Sequence, residues 1–246
     1  MADAPEFSLV VPAFNEAENL PRTLPVLQAA MAACGRRGEL LVVDNNSSDR
    51  TAEVARAHGA RVVFEAHNQI SRARNAGARA AAGRCLVFVD ADTLIPPELL
   101  RAALDNLASG RCCGGGSEVQ LDRYPRRGMR AFVRLWNFLA PRRGLAAGCF
   151  VYCRREAFEA IGGFSERVYA GEELFLSRAL RRWGRSRGME FRVVRGHPAV
   201  SSARKADWFT PWQMLWPTLM ILCFPFLLMT RRACGMWYRR PEKRER

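Results

Sequence analysis

The sequence predicts an α/β fold with a mostly parallel central sheet flanked by helices. Short apolar runs alternate with helix-like segments through the first two-thirds of the 246-residue chain, and a βαβαβαβ order is typical of open parallel sheets. The fourth run, Cys85–Asp90, is apolar until its final aspartate, as in parallel strands that are covered on both faces. Polar residues directly follow three of the runs, at the strand ends where such sheets bind ligands.

Four strands are predicted in this part, because each run is too short for a helix and is rich in valine or leucine. They are Phe7–Pro12, Glu39–Asp44, Arg61–Phe64 and Cys85–Asp90. The helices between them start from cap residues at Asn15 (with Glu18 three residues on) and at Ser47 or Ser48. A third helix is predicted over Ser71–Ala82, and a fourth from Pro96 and Pro97 to about Ser109.

The second half is more mixed. Strands are predicted at Cys113–Leu121, Ala147–Tyr152 and Glu190–Arg195. Helices are predicted at Met129–Leu139 and at Gly171–Trp183, and a short helix is predicted between the strand that ends at Tyr152 and Gly162. The composition, 49% hydrophobic and 25% charged, is that of a folded protein with a sizeable core.

The net charge of +14 is concentrated in two stretches. Residues 123–143 contain seven arginines and no acid, and residues 231–246 contain seven basic residues against two glutamates. This pattern fits a membrane surface or phosphate-bearing substrates better than uniform nucleic-acid binding.

The eight cysteines include no C-x-x-C pair, which favours reduced thiols in a cytosolic-facing protein. No signal peptide is recognisable at Met1–Glu6.

Asp90-Ala91-Asp92 follows an apolar strand directly. Two carboxylates one residue apart can both lean toward a divalent ion, and hard oxygen ligands suit Mg²⁺ or Mn²⁺ bridging a leaving diphosphate. Alone, the same pattern is equally compatible with an ordinary turn. His197 is a weaker candidate ligand, because a lone histidine is more often structural or exposed.

Five motifs occur in order along residues 6–205. They are Val10–Glu16 (VVPAFNE), Val42–Thr51 (VVDNNSSDRT), Arg74–Gly77 (RNAG), Phe88–Asp92 (FVDAD), and Gly162–Glu166 (GGFSE) with Gly171–Glu173 and Arg178. Together they closely resemble the family 2 glycosyltransferases of the GT-A fold. The resemblance implies a metal-dependent enzyme that moves a sugar from a nucleoside diphosphate donor to an acceptor hydroxyl with inversion.

The resemblance also implies roles for individual residues. Asp44 would accept a hydrogen bond from the nucleobase, and Glu16 would meet the ribose. Arg72 and Arg74 would pair with the diphosphate, although Arg72 is equally well explained as a surface charge. Arg204 and Lys205 offer cations that would close over the diphosphate. The donor site is then expected to comprise Pro12, Ala13, Asn15, Glu16, Asp44, Arg72, Arg74, Asn75, Asp90, Ala91, Arg204 and Lys205, with Asp90 and Asp92 at the metal.

Glu172 and Glu173 are the candidate bases. In the family pattern the pair is usually Glu-Asp and the Asp deprotonates the acceptor, so Glu173 departs from the pattern by one methylene. Adjacent helical residues point about 100° apart, and only one should face the substrate. We expect Glu173 to be the base, with Glu172 orienting the acceptor or substituting; an acidic helix start favoured by the dipole is the structural alternative.

A hydrophobic segment follows the expected transferase domain of residues 1–206. Trp208–Met229 has no charged side chain, and its 22 residues would extend about 33 Å as a helix. Pro217 and Pro225 interrupt it, and its tryptophans suit the headgroup level. Residues 207–246 are therefore expected to form a membrane-associating segment and basic tail on the cytoplasmic side. Interfacial or re-entrant attachment ranks first, packing on the domain or on a partner second, and a true span third.

The expected partners are a nucleotide-sugar donor, a hydroxyl acceptor for which a lipid-linked molecule is a candidate, and a membrane surface, with no nucleic acid. Two alternatives stay open. One is a non-catalytic, transferase-like membrane-associated protein, which the change at Glu173 permits. The other is a basic nucleic-acid-binding protein, although no helix-turn-helix, zinc-finger or RNA-binding motif is recognisable.

Overall fold

The chain folds around one mixed sheet with helices on both faces. The computed structural model describes residues 4–208, 228–232 and 234–235, which form eight strands and eight helices. The strands are β1 (Phe7–Ala13), β2 (Gly38–Asp44), β3 (Arg61–Phe64), β4 (Cys85–Val89), β5 (Thr93–Leu94), β6 (Cys112–Leu121), β7 (Phe150–Arg154) and β8 (Glu190–Ser201). The helices are α1 (Leu20–Ala33), α2 (Thr51–Ala57), α3 (Ile70–Ala80), α4 (Pro97–Ala108), α5 (Met129–Arg143), α6 (Arg155–Ala160), α7 (Glu172–Arg185) and α8 (Lys205–Trp208).

The sheet order is β3-β2-β1-β4-β7-β6-β8-β5. The first four strands in this order are parallel, as predicted, whereas β7 is antiparallel to both of its neighbours. The strand order reverses direction between β1 and β4, so their carboxyl ends border the crevice in which open α/β sheets bind ligands. The predicted α/β fold class with its mostly parallel sheet is therefore confirmed.

The core lies on both faces of the sheet because the parallel strands are apolar at successive positions. All seven residues of β1 are buried. Phe7, Leu9 and Val11 pack with α1 and α4 on one face, whereas Val10 packs with α3 and α7 on the other. Strands alternate their side chains between faces, so a doubly covered strand needs apolar residues throughout.

The predicted helix caps at Asn15, Ser47 and Ser48 are wrong. α1 begins only at Leu20, and Asn15 lies in a left-handed conformation with φ 54°. Its side-chain oxygen accepts a hydrogen bond from the Ser48 amide at 2.8 Å, and its own amide donates to Ser47 Oγ at 2.9 Å. These polar groups therefore join the loop after β1 to the loop after β2 instead of capping the helices that follow.

β8 is longer than predicted and extends to Ser201. Its last residues pair with the two-residue strand β5, with Thr93 opposite Ser201. Because β5 follows Asp92 directly, this pairing brings the residues after β8 to the carboxyl end of β4.

The chain beyond β8 also contacts the domain. The amide of Tyr169 donates a 2.7 Å hydrogen bond to the carbonyl of Leu228, and Cys234 is buried. Most of the predicted membrane segment, residues 209–227, lies outside the described residues. No helix in the described ranges is both long and apolar enough to cross a bilayer.

A glycine sets how closely α3 approaches the sheet. A Cβ built on Gly77 would lie 2.3 Å from Cγ1 of Val10 and 2.8 Å from Cγ2 of Val43. We predict that Gly77→Ala lowers the free energy of unfolding by about 1–3 kcal/mol, because the overpacked helix must move away from the sheet. Denaturant unfolding measures the change. Arg79→Ala, on the exposed face of the same helix, should change stability by no more than about 0.5 kcal/mol; equal losses in both variants would contradict the explanation.

Candidate active site

The loops after β1 and β2 form one wall of the crevice. The Asn45 amide donates to the Ala13 carbonyl at 2.8 Å, and the Glu16 amide donates to Thr51 Oγ1 at 2.7 Å. Asp44 is almost buried, and one of its carboxylate oxygens accepts the Ser47 amide at 3.0 Å. These bonds fix both loops on the parallel edge of the sheet. Pro12 is buried within β1, one residue before the end of the strand.

Asp90 and Asp92 lie at the carboxyl end of β4, separated by the buried Ala91. Each carboxylate contacts one arginine: Asp90 accepts from Arg74 at 2.8 Å, and Asp92 lies 3.1 Å from Arg204. Both side chains keep some exposure to solvent, 29% and 13%. Within the described ranges no group of three or more His, Cys, Asp or Glu is arranged to hold a metal, and His197 is exposed on β8.

Arg74 is the most buried charge of the site, with 1% of its surface exposed. Its guanidinium donates to Glu172 at 2.5 Å, to Asp90 at 2.8 Å and to the Gly148 carbonyl at 2.8 Å, and it lies over the Phe164 ring. Burial alone would lower the pKa of Arg74, but the surrounding carboxylates outweigh it and raise the pKa. The two terminal nitrogens of Arg74 are thus used within the protein, whereas its Nε is buried and has no hydrogen-bond partner among the described residues. The diphosphate contact expected of Arg74 stays a prediction.

Glu172 and Glu173 begin α7 and have different environments. Glu172 is buried, with 4% exposed, and is bonded to Arg74. Glu173 is only partly buried and lies against the 146–148 segment, where a Cβ built on Gly148 would be 3.6 Å from the Glu173 carboxyl carbon. Burial and the negative charge of Glu172 raise the pKa of Glu173 above its ordinary value, and Arg74 offsets part of the rise.

Arg204 closes the crevice from the end of β8. It donates to both carboxylate oxygens of Glu16, at 2.8 and 2.5 Å, while it also lies 3.1 Å from Asp92. Its Nε is buried and has no hydrogen-bond partner among the described residues. The side chain of Lys205 is outside the described part of the structure. One guanidinium thus connects the loop after β1 to the Asp90–Asp92 pair.

The sequence model of Glycosyl transferase family 2 matches residues 8–162 of the chain. The chain belongs to this family. The matched region contains β1 to β7, including the loops after β1, β2 and β4 that form the crevice.

Several known proteins are similar to this family 2 chain. Glycosyltransferase AglE of Haloferax volcanii is 26% identical over 208 residues, which cover 79% of this chain and 67% of that protein. The undecaprenyl-phosphate 4-deoxy-4-formamido-L-arabinose transferase of Pseudomonas aeruginosa is 30% identical over 172 residues, 65% of this chain and 50% of that protein. The chain therefore spans between half and two-thirds of these relatives.

Solved structures support the GT-A fold. Mannosyltransferase PcManGT from Pyrobaculum calidifontis, in complex with GDP-Man and Mn²⁺, superposes with a TM-score of 0.65 at 20% identity, covering 88% of this chain and 61% of that one. S. aureus TarS 1-349 in complex with UDP-GlcNAc gives a TM-score of 0.63 at 17% identity, covering 94% and 69%. At these identities the likeness establishes the shared fold.

In this family 2 chain, three polar residues of α3 and its N-terminus hold the loop before α7. Asn75 exchanges hydrogen bonds of 2.9 Å with the backbone of Phe164, and Arg72 pairs with Glu166 at 3.1 Å. Gln69 donates to the carbonyls of Glu166 and Val168, both at 2.9 Å. Asn75 therefore has a structural role in holding this loop, and the donor contact expected of it stays a prediction. Sequence reasoning missed Gln69, since no local pattern marks a side chain whose partners are almost a hundred residues away.

The Arg74–Glu172 pair offers a direct test of this buried network. We predict that Arg74→Met lowers the free energy of unfolding by about 3–5 kcal/mol, because Glu172 is left as a buried, uncompensated charge. Arg74→Met combined with Glu172→Gln should recover about 0.5–3 kcal/mol relative to additivity. Denaturant unfolding of the two single variants and the double variant provides the cycle. Strictly additive losses would mean that the pair contributes no mutual interaction.

Proposed function

We propose that the protein is an inverting glycosyltransferase, which moves a sugar from a nucleoside diphosphate to an acceptor hydroxyl. The observation that carries the proposal is the double contact of Arg74. It holds Asp90 at the end of β4 and Glu172 at the start of α7, so a carboxylate pair and a partly exposed glutamate border the same crevice. This arrangement can stabilise a leaving diphosphate on one side and accept a proton on the other.

Asp90 and Asp92 fit a divalent ion by their chemistry. Both are carboxylates at a strand end with partial exposure, and hard oxygen donors are the ligands that Mg²⁺ and Mn²⁺ prefer. Such an ion would supply positive charge against the diphosphate of the donor. The spare Nε of Arg204 beside these acids is a donor suited to an anionic oxygen. The mannosyltransferase with the same fold was solved with GDP-Man and Mn²⁺, which supports this assignment.

Individual residues of the crevice have separate roles in the proposed transfer. Asp44 and the loop after β1 form the wall that would hold the nucleoside. When the donor binds, Arg204 would leave its hydrogen bonds to Glu16 and form hydrogen bonds with the diphosphate. The Glu16 carboxylate would then be available to the ribose. Glu173 removes the proton of the acceptor hydroxyl as that oxygen attacks the anomeric carbon, while Glu172 and Arg74 keep α7 in position. Positioning of the two substrates supplies much of the acceleration.

The acceptor is proposed to be lipid-linked, and the domain to work at the cytoplasmic face of the membrane. The name of the Pseudomonas relative specifies a lipid phosphate substrate. The charge-free stretch Trp208–Met229 and the basic residues after it suit an anionic bilayer surface. The domain boundary near residue 206 stays part of this proposal, with the following residues as the membrane-associating segment.

The base assignment predicts a difference between adjacent variants. Glu173→Gln should lower acceptor-dependent turnover by about 10²–10⁴-fold, because proton removal is lost, while donor protection against heat is unchanged. Glu172→Gln should mainly lower the free energy of unfolding.

In the wild-type enzyme the acidic limb of the pH profile should lie well above the ordinary glutamate pKa of about 4.3, since Glu173 must be ionised and its pKa is raised. Nucleotide release from UDP-, GDP- and TDP-sugars with Mn²⁺ measures the turnover.

If Glu172→Gln stops turnover with the fold intact, while Glu173→Gln remains active, the base is Glu172. If the wild-type protein neither binds a nucleotide sugar nor releases the nucleotide from one, the non-catalytic alternative replaces the proposal.

A second prediction concerns the metal and Arg204. Asp92→Asn should abolish the rise in melting temperature that Mn²⁺ produces, because a carboxylate ligand is lost. Arg204→Gln should increase that rise, because no guanidinium competes for Asp92, and should weaken protection by GDP or UDP, because a diphosphate partner is lost. Differential scanning fluorimetry with Mn²⁺ alone and with Mn²⁺ plus nucleotide separates the two effects. Unchanged responses in both variants would remove these residues from the donor site.

A further inference from the structure

An apolar groove lies between α5 and the end of β6, outside the crevice described above. Its volume is about 430 Å³. Its walls are apolar side chains from three segments: Val119 and Leu121 of β6, Met129, Phe132, Val133 and Trp136 of α5, and Ala147. The groove is therefore suited to hydrocarbon and unsuited to a sugar or nucleotide, which needs polar partners.

The helix beside the groove exposes large apolar side chains in an arginine-rich setting, and one of them, Phe132, also lines the groove. Phe132 is 69% exposed, and Leu135 and Phe138 are each 54% exposed. Arg130 lies over the Tyr124 ring and Arg142 over the Phe138 ring, so guanidinium groups flank the aromatic side chains. The stretch from 123 to 143 itself has no acidic residue, and one of its seven arginines, Arg123, pairs with Asp207 of α8. Exposed aromatic residues among arginines match the interface of an anionic membrane.

The groove and the proposed acceptor side of the active site border on neighbouring residues of one segment. Ala147 lines it, and the next residue, Gly148, approaches both the Glu173 carboxyl group and Arg74. The walls are fixed to one another, because the side-chain amide of Asn137 exchanges hydrogen bonds of 2.9 and 2.8 Å with the backbone of Val119. The groove is therefore held in place one residue before the position that approaches Glu173.

We propose that this groove binds the hydrocarbon chain of an anionic lipid acceptor, while the arginines of residues 123–143 bind its acidic head group. The inference rests on the proposed glycosyl transfer and adds to it the place and chemical class of the acceptor. A lipid satisfies both parts of the surface, because it combines an apolar chain with negative charge. A second copy of the protein would instead bring two arginine-rich helices together without an acidic counterpart in this stretch.

Photo-cross-linking tests the proposal with full-length protein. The probe is phosphatidic acid with a diazirine in its acyl chain, carried in phosphatidylcholine vesicles, and the matched probe is diazirine-bearing phosphatidylcholine. The expected cross-links lie on β6, α5 and Ala147. Val133→Trp, and Met129→Trp as a second variant, should reduce them by about tenfold, since each excluded methylene costs about fourfold in affinity.

Two controls separate the groove from the membrane surface. Phe138 lies on the exposed face of α5 and does not line the groove. The variant Phe138→Ser should therefore retain the wild-type ratio of groove cross-links to surface cross-links. Arg134→Gln should reduce the preference for phosphatidic acid over phosphatidylcholine by about fivefold, as expected for one lost charge near an anionic surface. Thermal unfolding of each variant confirms that it is folded.

The proposed binding of lipid in the groove would be overturned by cross-links confined to the exposed face of α5. Labelling of the tryptophan variants equal to that of the wild-type protein would also overturn it. A wild-type groove that excludes the probe because residues 209–227 or a second protein copy occupy it would also overturn the proposal, and intramolecular or intermolecular protein cross-links would identify that occupant. Heat protection by nucleotide sugar and Mn²⁺ reports the donor site separately. If that protection is absent while lipid labelling persists, the proposed transfer fails and the lipid site remains.

Discussion

The buried guanidinium of Arg74 is the interaction on which the site depends. A charge that is withdrawn from water must be compensated completely, and here two carboxylates, a backbone carbonyl and an aromatic ring surround it. Those partners come from β4, α7 and the segment before β7, which are far apart in the sequence. One side chain of α3 therefore fixes the relative positions of both acidic centres of the crevice.

The same network gives two adjacent glutamates different properties. Glu172 accepts a hydrogen bond from Arg74, whereas Glu173 lies beside Gly148 and is less buried. The pKa of Glu173 rises because burial and the charge of Glu172 both oppose a second negative charge, while Arg74 offsets part of the rise. A carboxyl group whose surroundings raise its pKa is a common basis for acid–base chemistry.

The parallel half of the sheet and the crevice at its carboxyl edge were predictable, because continuous apolar strands and the residues after them are local patterns. The motif around Asp90 and Asp92 was also readable along the chain. The roles of Arg74 and Asn75 were not, since a polar residue on an alanine-rich helix looks the same whether it meets a ligand or a distant loop. The caps failed for a related reason: Asn15 has a better partner 33 residues away at Ser48 than in its own helix.

The position of Arg204 has a mechanical consequence. It lies three residues after the end of β8 and contacts Glu16 and Asp92, while the charge-free stretch begins at Trp208, only four residues later. Four residues of chain reach at most about 14 Å, so the tether between the acids and the start of that stretch is short. A displacement of the proposed membrane segment away from the domain would reach the guanidinium with little slack, so the proposed attachment would be coupled to the charge balance of the crevice.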